Sequence, residues 1–406
     1  MKIKNCRCCK SSNLKFTFSL GNQYLTGIFP KNKQHKISKG SLALVLCENC
    51  KLLQLQNSFN NFEMYGENYG YMSSLNKSMF THLKYKVEKL KKRLSLKSND
   101  TIIDIGSNDG TFLSFFPKNL NLIGVDPTIS KFSKFYRKDI VKIPEFFSGD
   151  ILQKTIKKKA KLITSIAMFY DLEDPVNFAR DIHELLDDDG IWHLELSYMP
   201  SMIKNISYDT ICHEHLEYYS LTSIKYILDK ADLKIIDIEF NDINGGSFAL
   251  SVAKKKSSYL EDKKIVNWLL SKENTLKVNE FKSFINFFKK CEEQKKILVD
   301  LLKNLKDMKK KVYGYGASTK GNVILQFCNI NSNLIRYIGE VNKYKYNKFT
   351  PGSNIKIISE KNLRNLKPDY LLVLPWHFKN FILNKEKKYL NQGVKFIFPL
   401  PDIEII

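Results

Sequence analysis

At 406 residues the chain is too long for a single small core, and with 43% hydrophobic residues it is not globally disordered. Its net charge of +23 would suit an anionic partner, yet the lysines are scattered, with clusters as short as "KKK" at 157–159 and 254–256. That pattern fits a solvated basic surface that helps attract an anionic small molecule. No stretch reaches the roughly 20 apolar residues of a membrane span, and the N-terminus has no apolar run of signal-peptide length, so a soluble, cytoplasmic protein is expected.

Residues 1–65 hold "CRCC" and "CENC", in which Cys6 and Cys9 form one C-x-x-C pair and Cys47 and Cys50 another. Eight cysteines in such a chain argue for metal or free thiols rather than disulfides. Four thiolates in two knuckles close a tetrahedron around Zn²⁺. A region this short has little core of its own, so a metal staple makes physical sense. With all four positions filled the zinc is structural, and Cys8 is a spare.

Next, "NYGYMSSLNKSMFTHLKYKVEKLKKRL" predicts a helix capped by Ser73 or Ser74. "DTIIDIGSNDGTFLSFF" then reads as a buried strand, a Gly106–Gly110 turn and an apolar helix, and "NLIGVDP" as a second strand ending in Asp126. "KLITSIAMFYDL", "DDDGIWHLELSY" and "LKIIDIEF" supply further strands, separated by helical stretches such as "PVNFARDIHELL". Alternation of this kind predicts a parallel sheet covered on both faces across 66–257. Residues 258–310 read as one or two charged connecting helices. A second α/β pattern fills 311–406, with strands in "KKVYGYG", "LIRYIGEVN", "PDYLLVLPW" and "VKFIFPLP".

Each α/β unit opens on a glycine turn. In the first, Asp104, Gly106, Asn108 and Gly110 are followed by Asp126, placed to accept hydrogen bonds from ribose hydroxyls. The dinucleotide fingerprint G-x-G-x-x-G is absent. The turn resembles the cofactor site of class I methyltransferases, which bind S-adenosylmethionine and need no pyrophosphate cradle; the alternative is an ordinary strand–turn–helix. In the second, Gly314-Tyr-Gly316-Ala-Ser318-Thr-Lys320-Gly321 opens a helix, with Glu340 ending the next strand. Ser318 and Lys320 at a helix N-terminus suit a phosphate, although the P-loop spacing is missing and the unit could instead serve only to pack.

Midway, "YDTICHEHLEYYS" places His213, Glu214 and His215 together among phenols. Were the string extended, the two histidines would face one way and the glutamate the other. The zincin spacing H-E-x-x-H is absent, leaving acid–base work, a metal pair or a structural polar cluster; acid–base work is favoured because imidazole takes a proton near neutral pH.

Together these motifs give a specific resemblance. The two C-x-x-C pairs, "YGYMSS", "DIGSNDGTFL", "GVDP", "YDTICHEHLEYYSL", "NGGS", "GYGASTKGN" and "PGS" are similar, in order and over nearly the whole chain, to the nucleotide-sugar C-methyltransferases of deoxysugar biosynthesis. The resemblance implies a zinc-binding N-terminal module, a central class I methyltransferase domain with a Rossmann-like sheet, and a C-terminal Rossmann-like domain. It implies methyl transfer to a carbon next to a keto group on a nucleotide-linked 6-deoxysugar. His215 would be the base, Glu214 would orient it or hold a sugar hydroxyl, and His213 would assist the oxygen. Tyr69 and Tyr71 would close over substrate and cofactor; Asp104, Gly106, Asn108, Gly110 and Asp126 would hold S-adenosylmethionine; Ser318, Lys320 and Glu340 would meet the substrate nucleotide.

Several positions depart from that pattern. Cys212 stands where the family often has a tyrosine before H-E-H, leaving a phenol donor missing unless Tyr208 or Tyr218 replaces it. Asn244 stands where a histidine often precedes Gly-Gly-Ser, Glu340 replaces an aspartate, and "PWHF" replaces a tryptophan–asparagine pair. Methylation at oxygen or nitrogen of a similar sugar needs no enolate and stays open. A zinc-containing nucleic-acid-binding protein or RNA methyltransferase would use the basic charge and 12% aromatic content, but the lysines form no aromatic-interleaved stripe. Monomer and homodimer fit the sequence equally.

Overall fold

Three sheets organise the computed structural model, which describes residues 1–32, 34–65 and 71–406. The first begins with β1 (Leu14–Tyr24), β2 (Lys39–Cys47) and β3 (Leu53–Leu55), antiparallel neighbours in that order. The second contains β4 (Thr101–Ile105), β5 (Asn121–Val125), β6 (Val141–Ile143), β7 (Ala160–Ile166) and β8 (Leu186–Ser197), all parallel. The chain then leaves this sheet to form β9 (Glu217–Tyr218), which pairs antiparallel with β3 and completes the first sheet. It returns for β10 (Leu233–Asn241) and β11 (Ser247–Lys254), giving the order β10-β11-β8-β7-β4-β5-β6.

The sequence predicts a wholly parallel sheet here, but β11 runs antiparallel to both β8 and β10. The physical reason is the short link: only residues 242–246 join β10 to β11, and a parallel return needs a crossover of a dozen residues or more. The third sheet has β12 (Val312–Tyr315), β13 (Tyr337–Glu340), β14 (Lys356–Ser359), β15 (Tyr370–Val373), β16 (Lys395–Phe398) and β17 (Glu404–Ile405), in the order β14-β13-β12-β15-β16-β17. It is parallel apart from β17, so both α/β regions carry Rossmann-like sheets.

Helix Lys77–Arg93 is capped by Asn76, whose side chain accepts from the amides of Ser78 and Met79, and not by Ser73 or Ser74 as the sequence suggests. Those two serines donate their amides to the side chains of Asn108 and Asp109 in the first glycine turn. Helix Phe281–Asp307 buries Phe284, Phe287, Cys291, Gln294, Leu298, Leu302 and Leu305, a three-and-four spacing that presents one stripe. Phe18 of β1 packs on Phe287 and Phe288 at ring separations of 5.6 and 5.3 Å, and Gln294 donates to the carbonyl of Pro399 at 2.5 Å. One hydrophobic cluster thus runs from the first sheet through residues 199–218 to the third sheet. Cutting Phe284 to alanine inside it would cost about 3–5 kcal/mol. The string at 208–220 is clamped at this junction.

Candidate active site

The four Sγ atoms of Cys6, Cys9, Cys47 and Cys50 lie within 4.8 Å of one another, with Cys6–Cys50 at 3.6 Å and Cys9–Cys47 at 3.4 Å. Four thiolates about 2.3 Å from Zn²⁺ would be separated by roughly 3.8 Å, so the set fits the ion. Each knuckle closes the same way: Lys10 and Lys51, with positive φ, return their amides to the carbonyls of Cys6 and Cys47. Gln54 Nε2 donates to Cys6 Sγ at 3.1 Å, the kind of outer contact that orients a ligand. Cys8 is buried outside the four. The staple leads directly into β3, the strand that pairs with β9 and so holds the central string.

At the end of β4, Gly106 and Gly110 both take φ of +75°, a backbone that glycine adopts without strain. The turn lies where the strand order reverses between β4 and β7, the usual ligand position of an open α/β sheet. Asp126, ending β5, accepts from the Asn108 amide on Oδ2 at 2.9 Å and from the Thr128 amide and hydroxyl on Oδ1. One acceptor position on Oδ2 is left for a ribose hydroxyl. Asp104 lies deeper; burial raises its carboxyl to about 7, although Thr164 Oγ1 donates to it at 2.6 Å. Asn108 also fastens the preceding segment, accepting from the Ser73 amide at 3.0 Å and donating to the Tyr71 carbonyl at 3.2 Å. These groups fit S-adenosylmethionine, with Tyr71 at the rim, 40% exposed. Tyr69 lies outside the described residues.

The central string is a turn, closed by the His215 amide on the Cys212 carbonyl at 3.2 Å, so the alternation expected of an extended string does not hold. His213 points into the first sheet: Nε2 is 3.3 Å from the Gly40 carbonyl and the ring meets Phe59 edge-on at 4.6 Å. Burial holds its pKa below the usual imidazole value. Glu214 accepts from Thr26 Oγ1 at 3.3 Å, and Gly27 passes so close that a Cβ there would come 2.8 Å from Oε1. The group that orients His215 is therefore not Glu214. It is the carbonyl of Thr210, 2.7 Å from Nδ1, while Tyr170 packs on the ring at 4.2 Å.

A carbonyl only accepts, so Nδ1 carries the proton and Nε2 is left as the acceptor. Burial, aided by the nearby Lys320 ammonium, lowers the pKa of His215 to about 3 and keeps it neutral. His215 lines a small cavity of about 10 Å³ with Thr210, Tyr170, Ser197, Glu217 and Tyr218. Ser197 Oγ, Glu217 Oε1 and the Tyr218 hydroxyl are buried there with no hydrogen-bond partner among the described residues. Unpaired buried polar atoms are costly, and three in one cavity mark a place built to meet something polar. Of the two phenols near Cys212, Tyr208 donates to Gln294 Oε1 at 2.7 Å, whereas Tyr218 lines the cavity and its hydroxyl has no hydrogen-bond partner among the described residues.

The second glycine turn differs from the sequence expectation. Ser318 caps helix Thr319–Phe327, its Oγ accepting from the Gly321 amide at 2.9 Å. Glu340 accepts from the amides of Ala317, Val341 and Asn342 at 2.7–2.8 Å, so a carboxylate already occupies the anion position of the turn. Lys320 reaches away, donating to the Asn244 carbonyl at 2.8 Å and to Thr210 Oγ1 at 3.3 Å. Neither residue is placed for a phosphate at this turn. Sequence reasoning missed Thr210, Tyr170 and His377. His377 is half-buried beside Trp376, whose Nε1 donates to Asp209 Oδ2 at 2.8 Å. Only the unusual "PWHF" hinted at it.

Three family models match in succession: "Putative zinc binding domain" over residues 6–65, "Methyltransferase domain" over 79–238 and "C-methyltransferase C-terminal domain" over 242–401. The C-methyltransferase NovU of Streptomyces niveus is 27% identical over 409 residues, covering 100% of this chain and 97% of that protein. Among solved structures, an S-adenosylmethionine-dependent methyltransferase from Clostridium acetobutylicum ATCC 824 is 13% identical with a TM-score of 0.33, over 43% of this chain and 92% of that one. The plantazolicin methyltransferase BpumL, with S-adenosylhomocysteine, is 14% identical with a TM-score of 0.34, over 43% and 84%.

Proposed function

The chain belongs to the S-adenosylmethionine-dependent C-methyltransferase family, with a structural zinc module, and from that premise we propose that it methylates a carbon beside a keto group on a nucleotide-linked deoxysugar, with His215 as the base. The observation that carries the reading is the His215 imidazole, held through Nδ1 on the Thr210 carbonyl and lining a cavity with three unpaired polar atoms. The nucleotide sugar comes from the motif resemblance; the carbon acceptor comes from the family.

S-adenosylmethionine supplies an electrophilic methyl group. The residues have to make the acceptor carbon nucleophilic. His215 Nε2 takes the proton from the carbon α to the carbonyl; the C–H pair becomes a C=C bond and the carbonyl π pair moves to oxygen, giving an enolate. The Tyr218 and Ser197 hydroxyls, which line the cavity without partners among the described residues, would donate to substrate oxygens. After the new carbon–carbon bond forms, the proton on His215 is lost to solvent, and the neutral ring is restored. Burial keeps the imidazole unprotonated in the free enzyme but also weakens it as a base, so proton transfer relies on stabilisation of the enolate that forms.

The test is product analysis. The protein is incubated with methyl-¹³C-labelled S-adenosylmethionine and a panel of nucleoside-diphosphate keto-deoxysugars, and the carbon-13 shift of the new methyl group is read. A carbon-bonded methyl group is expected. An oxygen- or nitrogen-bonded methyl group would overturn the enolate route, and labelling of RNA with none of the sugars would overturn the sugar.

A further inference from the structure

Lys320 comes from the C-terminal α/β domain, yet its ammonium stands at the residue that fixes the base. Thr210 uses its carbonyl to hold His215 Nδ1 at 2.7 Å and its hydroxyl to meet Lys320 Nζ at 3.3 Å. A second Lys320 N–H is taken by the Asn244 carbonyl at 2.8 Å, and a third has no acceptor among the described residues. Lys320 also makes no ion pair among them. The carboxylate nearest it among the described residues is Asp209, which spends Oδ2 on Trp376 Nε1. Around the amine stand two half-buried imidazoles, His215 and His377, whose pKa values are both held down to about 3, by desolvation first and then by the lysine itself. Burial also lowers the lysine's own pKa, the signature of a cation short of counter-charge.

We propose that Lys320 is a catalytic residue for the enolisation: its ammonium binds the substrate carbonyl oxygen and stabilises the negative charge that collects there when His215 removes the α proton. This rests on the enolate reading above. The balance needs no further reactant, because the lysine keeps its protons throughout and supplies only a hydrogen bond and a charge. A fixed cation matched to an oxyanion is worth most in a water-excluded site, since it need not reorganise as charge develops. The arrangement also explains the three-domain design, because the base and the cation reach the same threonine from different domains. The sequence reading places this lysine on a phosphate instead; the two roles predict different defects.

The experiment compares wild type, Lys320→Met and Lys320→Gln in D₂O, without methyl donor, using thymidine-diphospho-4-keto-6-deoxyglucose and its uridine counterpart. Deuterium uptake at the α carbon is followed at saturating sugar, and the affinity for thymidine diphosphate and uridine diphosphate is measured by calorimetry. The expected result is an exchange rate lower by about 10²-fold or more in both variants, with nucleotide affinity within about threefold of wild type. Lys320→Gln serves if Lys320→Met does not fold, since its amide can still meet the Asn244 carbonyl. Exchange near the wild-type rate with weakened nucleotide binding would overturn the oxyanion role and return the lysine to phosphate. Wild-type protein that exchanges neither sugar would sink the enolate reading, and this role with it.

Discussion

The Thr210 carbonyl accepts the Nδ1 proton of His215 at 2.7 Å. That bond fixes the tautomer, so the second nitrogen is left as an acceptor. Because β9 lies two residues beyond His215 and pairs with β3, the ring's position depends on the zinc-stapled module as well as on the methyltransferase sheet.

A pH profile follows. With a pKa lowered from 6.5 to about 3, His215 is already neutral at mildly acidic pH. The exchange rate at the α carbon should therefore show no acid limb near pH 6.5. Toward alkaline pH it should fall as Lys320 loses its proton, below the usual 10.5. The stability sign is fixed too: the unfolded chain protonates this histidine near 6.5 and the fold resists, so the unfolded state binds more protons between about 3 and 6.5. The contribution is lost as pH falls through that window, and urea midpoints of wild type should drop faster than those of His215→Asn.

The two phenols separate cleanly. Tyr208→Phe leaves Gln294 Oε1 without its buried donor and should cost about 1–3 kcal/mol of stability with little effect on exchange at saturation. Tyr218→Phe removes a buried hydroxyl that has no partner among the described residues, so its denaturation midpoint should equal or exceed that of wild type while the exchange rate falls. Denaturation curves and deuterium uptake on the same preparations check both.

Much of this was legible from residue order. The paired cysteines, the β-branched runs at 102–105 and 122–125, and the glycine turn with Asp126 are local patterns, and local patterns survive folding. Less local features were not. Glu217 and Tyr218 look like part of a catalytic string, but they are a strand of the first sheet, set by pairing across more than 160 residues with Gln54 and Leu53. His213 and His215 diverge because a turn at Cys212 breaks the period-two rule. Lys320 sits where a phosphate-binding lysine would, and only the packing of two domains turns it toward Thr210. Asn76 caps the helix because Ser73–Leu75 form a separate 3₁₀ turn ahead of it, tied to Asn108 and Asp109 through the serine amides.

Zinc removal should be felt at the base. Elemental analysis of wild type should find roughly one equivalent of zinc, and Cys47→Ser, with three thiolates left, should lose it. With the knuckle open, β3 loses its anchor and β9 its partner, so exchange should fall although no cysteine lines the cavity. A metal-free wild-type protein with intact folding and activity would refute the staple.

Helix Lys77–Arg93 is pinned to β8 by a buried charge set. Glu195 meets Lys86 at 2.9 Å and His82 at 2.7 Å. Burial would raise its pKa, but the two partners overcome this and hold it at about 2. Lys86→Met leaves Glu195 short of counter-charge and should destabilise by about 3–5 kcal/mol. Chemical denaturation measures it; a change under about 1 kcal/mol would show that the pair is not strongly coupled to folding.

Asp126 tests the cofactor turn. Asp126→Asn should weaken S-adenosylhomocysteine binding by roughly tenfold or more, from the loss of a charged acceptor. Nucleoside-diphosphate binding should be untouched. Thermal shifts with each ligand separate the two, since a ligand that binds only the native state raises its melting temperature.

The most direct measurement is solvent exchange by the intact protein and by His215→Asn. Wild-type protein in D₂O with a nucleoside-diphosphate keto-deoxysugar and no methyl donor should place deuterium on the carbon next to the carbonyl. His215→Asn should do so about 10²–10⁴-fold more slowly. Equal exchange by both proteins would contradict the role given to His215.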